Sequence, residues 1–194
     1  MQPLAQLLRD NRQIALVSGA RQVGKTTLAR QLLLEFNSKG NYLNWDDVDH
    51  REMILKGPDA IIQYLGLDQI FPEKPLLVLD ELHKYKDWKI FLKGFFDRYE
   101  NEFSFLVTGS ASLDQYRKGG DSLMGRYFSY RLHPLSIREL AGEVDSGKLL
   151  QSPMPLDAEK LKTLWRFGGF PEPFLRGNDR FIKRWQNLRQ DQLV

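Results

Sequence analysis

Eight consecutive residues, Gly19-Ala20-Arg21-Gln22-Val23-Gly24-Lys25-Thr26, leave this chain little freedom in how it can fold. They match the phosphate-binding pattern G-x-x-x-x-G-K-S/T. The pattern works only as a bend between a buried strand and a helix. Its flanks read as both. Residues 13–18 form an apolar run into the loop, and residues 27–36 place Leu28, Leu32, Leu33 and Phe36 on one helical face. Glycine lets the backbone curl until successive N–H groups converge on phosphate oxygens, and the helix N-terminus adds partial positive charge there. Lys25 is placed to reach the β- and γ-phosphates, and the Thr26 hydroxyl to ligate Mg²⁺. Gly19, Ala20, Arg21, Gln22, Val23, Gly24, Lys25, Thr26 and Thr27 are thus the expected nucleotide-binding residues. An ordinary strand–turn–helix is the competing reading. Loop, strand and helix in the right order favour a nucleoside triphosphate site.

A chain of 194 residues accommodates one α/β domain and part of another. It has no cysteine, which rules out disulfides and thiolate metal sites and fits a reducing cytoplasm. No apolar stretch approaches the length of a membrane span, so no membrane partner is expected. The net charge of +3 permits an acidic partner without requiring one.

Residues 14–17, 76–79 and 103–107 are apolar on both faces, as in central strands of a parallel sheet covered by helices on each side. Residues 42–45 and 128–132 are half polar and suit sheet edges. Between these runs lie helical patterns, the clearest carrying Trp88, Phe91, Leu92, Phe95 and Tyr99. Such alternation predicts an α/β fold, a three-layer sandwich around a parallel sheet. The expected organisation is a P-loop core over residues 1–145, a linker over 146–156, and a partial helical lid over 157–194.

The run Leu76-Leu77-Val78-Leu79-Asp80-Glu81 describes a buried strand whose acidic tip emerges where α/β proteins bind ligands. Asp80 is expected to hold Mg²⁺ through water. Glu81 is placed to accept a proton from a water attacking the γ-phosphate. The strand ending in Thr108-Gly109-Ser110 offers a hydroxyl to position that water, Thr108 first and Ser110 second. Asp46, Asp47, Asp49 and His50 form a polar loop rather than a metal site. Asp97-Arg98-Tyr99 closes a helix and carries no catalytic weight here.

Together these residues resemble the AAA+ superfamily of P-loop ATPases. The chain looks most like bacterial and archaeal ATPases whose AAA+ module precedes a restriction-endonuclease-like domain of unknown function. The likeness runs from the loop at Gly19 through Leu79-Asp80-Glu81-Leu82-His83-Lys84, Thr108-Gly109-Ser110, Gly125-Arg126 and Pro134-Leu135-Ser136 to Gly168-Gly169-Phe170-Pro171-Glu172. It implies strand order 5-1-4-3-2, with ATP and Mg²⁺ as cofactors. It also implies that Arg126 acts as an arginine finger on a neighbouring subunit's ATP, hence a homo-oligomer, and that Pro171 lets the lid touch the nucleotide. Family members continue past residue 194, so the effector domain is expected to be missing here. Two other readings stand beside an ATPase switch or motor: a nucleotide-binding interaction module with little turnover, and a small-molecule kinase, which Glu81 disfavours. A nucleic-acid partner is a weaker reading of the basic and aromatic residues after position 157, because an amphipathic lid helix explains their spacing.

Overall fold

The computed structural model describes residues 2–38, 40–110, 123–142 and 157–191. The chain divides into two compact units, residues 1–132 and 133–194.

The first unit is built on β1 (Ile14–Gly19), β2 (Tyr42–Asn44), β3 (Leu76–Asp80), β4 (Ser104–Gly109) and β5 (Tyr127–Leu132). All pairings are parallel, and the order is β2-β3-β4-β1-β5. This is the expected 5-1-4-3-2 arrangement. The central strands β1, β3 and β4 are buried along their whole length, whereas β5 at one edge is half polar.

Alternate residues of each strand serve opposite layers. Leu77, Leu79, Phe105 and Val107 face α3 (Val48–Lys56), α4 (Pro58–Tyr64) and α5 (Trp88–Tyr99), whose Ile54, Ile61, Leu92, Phe95 and Phe96 fill that side. Leu76, Val78, Leu106 and Val17 face α1 (Gln2–Asp10) and α2 (Lys25–Glu35), which bring Leu8, Ala29, Leu32 and Leu33. Apolar residues on both faces of one strand are what a covered sheet demands. Aromatic rings fill much of the first layer; Phe95 meets Phe105 edge-on with centroids 5.2 Å apart.

The second unit contains α6 (Ile137–Ala141), α7 (Ala158–Phe167), α8 (Pro171–Arg176) and α9 (Asp179–Asp191). A capping box, Ser136 with Glu139, opens α6. The division falls at 132/133 rather than at the expected 145. Residues 133–141 go with the C-terminal helices: Leu135 N–H donates to the Gly169 carbonyl at 2.7 Å, and Lys160 reaches the Leu140 carbonyl at 3.5 Å. The expected linker at 146–156 lies outside the described residues.

Candidate functional site

Parallel pairing puts the ends of β1, β3 and β4 on one rim of the sheet. Val17 pairs with Thr108, and Leu79 with Val107, so the strand ends carrying Gly19, Asp80 and Thr108 emerge side by side. Gly19 ends β1 beside Leu132 of β5, and a Cβ there would stand 2.6 Å from the Leu132 carbonyl oxygen. Only a glycine lets the chain leave the sheet at this point. The loop then curls through left-handed conformations at Gln22 (φ 63°) and Gly24 (φ 106°) before α2 begins at Lys25. A non-glycine residue in that region is uncommon, and such backbone collects at ligand-binding loops.

Lys25 is folded onto its own loop. Its Nζ donates to the carbonyls of Gly19 (3.1 Å) and Ala20 (2.9 Å), and the residue is only 6% exposed. Burial lowers its pKa, against the pull of the Glu81 and Asp80 charges, which raise it.

Asp80 is buried, and its charge is met by three hydroxyls from three elements. Thr26 of α2 donates to Oδ2 at 2.8 Å, Tyr42 of β2 donates to Oδ2 at 2.5 Å, and Thr108 of β4 donates to Oδ1. Hydrogen bonds to the ionised form are what make a buried carboxylate tolerable. Tyr42's own pKa is driven far upward, by burial first and then by its bond to Asp80, so the phenol stays a donor.

Glu81 turns away from Asp80 in a left-handed conformation (φ 57°, ψ 23°), and its N–H donates to Thr108 Oγ1 at 3.4 Å. Thr108 therefore stands between the two acids. The Glu81 carboxylate lies 3.3 Å from Lys84 Nζ and 3.9 Å from His83 Nε2. Lys84 is in turn gripped by both oxygens of Asp46 at 2.7 and 2.6 Å. Burial lowers the Lys84 pKa, but its bonds to Asp46 and Glu81 outweigh that and hold it above the ordinary value. His83 is turned inward; its Nδ1 is buried without a partner among the described residues, and burial lowers its pKa.

The remaining expected residues lie elsewhere. Arg126 immediately precedes β5, where Tyr127 pairs with Ile14, so it sits on the rim opposite Gly19. Its guanidinium holds Asp97 through Nε (2.5 Å) and Nη2 (3.0 Å). Arg98 and Tyr99 both bind Asp59, so all of Asp97-Arg98-Tyr99 serves packing. Pro171 opens α8 in the second unit, where its fixed φ suits the first helical turn. Asp47 caps α3 by accepting from His50 N–H. Among the described residues no cluster of three or more His, Cys, Asp or Glu could hold a metal.

Sequence reasoning missed Tyr42 and the Lys84–Asp46 pair. One signal for Tyr42 was available: it begins the strand that the 5-1-4-3-2 order sets against the strand ending in Asp80.

A five-stranded parallel sheet in this order, with a glycine-rich bend leading from β1 into α2, defines a nucleotide-binding ATPase module of the P-loop type. Residues 11–141 match the family model described as AAA domain, and the chain belongs to that family. It is 28% identical over 137 residues to an uncharacterized protein of Methanocaldococcus jannaschii, a match covering 67% of this chain and 28% of that one. An uncharacterized protein of Mycobacterium tuberculosis is 26% identical over 174 residues, covering 90% of this chain and 33% of its own length. The chain thus spans about a third of the length of these relatives. Among solved structures, the ORC1 protein of Aeropyrum pernix in complex with DNA superposes with a TM-score of 0.50 at 15% identity, over 72% of this chain and 45% of that one. That likeness is one of fold. No described helix is long and apolar enough to cross a membrane.

Proposed function

We propose that this chain is an ATP-binding, Mg²⁺-dependent ATPase module of AAA+ type, acting in the cytoplasm as a nucleotide-driven switch or motor for an effector domain. The carrying observation is the convergence of Lys25, Thr26, Asp80, Thr108 and Glu81 on one rim, with Thr26 Oγ1 2.8 Å from Asp80 Oδ2. The donor set suits the cation. A hydroxyl and a carboxylate are hard oxygen ligands, and Mg²⁺ prefers one or two of these beside phosphate oxygens and retained waters. Thr26 and, through water, Asp80 would hold the ion. When bound, it neutralises charge on the β- and γ-phosphates.

The chain's own residues supply the rest. Gly19 to Thr27 offer main-chain N–H groups and a helix N-terminus to the phosphates. Lys25 exchanges the Gly19 and Ala20 carbonyls for phosphate oxygens. Glu81 accepts a proton from the attacking water once Lys84 yields it, and Thr108 orients that water. Arg126 sits on the far rim, so it reaches only a neighbour's ATP, as a homo-oligomer would allow. The role of Pro171 as a nucleotide contact rests on the family resemblance alone. The narrower kinship, with ATPases joined to a restriction-endonuclease-like domain, rests on the motif order of the sequence.

A nucleic-acid partner finds less support. Three basic residues of the second unit are engaged at home: Arg166 with Asp179, Arg176 with Glu172, and Arg189 over the rings of Phe170 and Trp185. An interaction module with little turnover is a second reading, favoured by the hold of Lys84 on Glu81. Phosphate release separates the two readings. It is measured for wild type and Glu81→Gln across protein concentrations, with and without DNA. Turnover that rises per chain with concentration and falls in the variant supports the ATPase; a rate that Glu81→Gln leaves untouched rejects the base assignment.

A further inference from the structure

The Asp80 carboxylate has about four acceptor positions, and among the described residues three are filled. Thr26 and Tyr42 both donate to Oδ2, and Thr108 donates to Oδ1. One position on Oδ1 remains for a water belonging to a cation. The donors approach from α2, β2 and β4, so the carboxylate plane is fixed from three sides. Two of these donors have other partners to serve. Thr26 would also have to ligate the cation of the reading above, and Thr108 accepts from Glu81 N–H at 3.4 Å. Tyr42 alone comes from outside the phosphate loop and the central strands.

We propose that Tyr42 is a positioning residue for the cation site, its hydroxyl holding Asp80 Oδ2 so that Oδ1 stays aimed at the metal's water. This rests on the Mg²⁺–nucleotide reading above and adds a residue to it. Local geometry explains how an edge strand does this. Asn44 pairs with Asp80 and Tyr42 with Val78, so the ring of Tyr42 lies along the face that Val78 and Asp80 share, under α2. A tyrosine is long enough to span the two-residue offset. Ring packing is not the reason for a tyrosine here: the ring is half-buried and lines an open cleft of about 440 Å³ with Arg30, Leu33 and Leu34. Phenylalanine would fill the same space and lose only the donor.

The test is Tyr42→Phe in the full chain. Binding of a fluorescent ATP analogue is titrated with Mg²⁺ and repeated in EDTA, with a thermal melt alongside. Outer-shell partners of this kind set metal affinity by about 10–100-fold. The variant is therefore expected to need about 10–100-fold more Mg²⁺ for a half-maximal response, with binding in EDTA unchanged. A Mg²⁺ midpoint equal to wild type overturns the proposal. So does a loss of binding in EDTA of the same size, which would mean that Tyr42 supports the phosphate loop rather than the acid. A wild type whose binding ignores Mg²⁺ altogether contradicts the nucleotide reading itself, a result distinct from both.

Discussion

Replacing Gly19 with alanine adds one methyl group at the point where the bend between β1 and α2 leaves the sheet. The added Cβ would meet the Leu132 carbonyl oxygen at 2.6 Å, Val23 Cγ1 at 3.2 Å and Leu132 Cβ at 3.4 Å. Ordinary contact begins near 3.4 Å, so the strand end must retreat from a backbone atom by several tenths of an ångström. No side-chain rotation can relieve this. Overpacking of this kind costs about 1–3 kcal/mol. For a chain of this size each kcal/mol moves the melting temperature by about 2–4 °C, so a fall of roughly 2–12 °C is expected. The same retreat tilts the loop, and ATP affinity falls with it. Gly40→Ala is the control: a Cβ there meets nothing within 4 Å, and its effect should stay within about 0.5 kcal/mol. Differential scanning calorimetry and ATP titration of both variants decide the matter. Gly19→Ala melting and binding like Gly40→Ala would refute the steric argument.

Two further outcomes follow from the charged residues. Glu81→Gln should lower phosphate release by about 10²–10⁴-fold with ATP binding retained, since a general base contributes on that scale. The Arg126 guanidinium holds the Asp97 pKa below the ordinary aspartate value, so that pair adds stability above about pH 4 and loses it as pH falls through the depressed value. The melting difference between wild type and Asp97→Asn should be constant from pH 7 to 5 and shrink below about pH 4; a difference that grows on acidification contradicts the pairing.

Much of this was legible in the sequence because it is local. A strand covered on both faces has to be apolar throughout, so β1, β3 and β4 declare themselves, and the bend between β1 and α2 is carried by eight adjacent residues. What escaped depends on residues far apart in sequence. Tyr42 reaches Asp80 only because β2 pairs with β3 in one register, and Lys84 meets Asp46 across the same pair of strand ends. Arg126 reads in sequence as a finger by family resemblance or equally as a surface ion pair, and its partner Asp97 comes from α5. Residues 133–141 read as part of the core because nothing nearby announces the Leu135–Gly169 bond. Polar residues find partners through tertiary register, which one sequence encodes only indirectly.

The central claim is that the bend between β1 and α2 grips a triphosphate with Lys25 as its charged clamp. Calorimetric titration of ATP with Mg²⁺ into wild type and Lys25→Ala tests it most directly. Wild type is expected to bind one ATP per chain, and the variant to bind at least about 10–100-fold more weakly, as loss of hydrogen bonds from a charged donor implies. Equal affinities, or no heat of binding in wild type, would contradict the account.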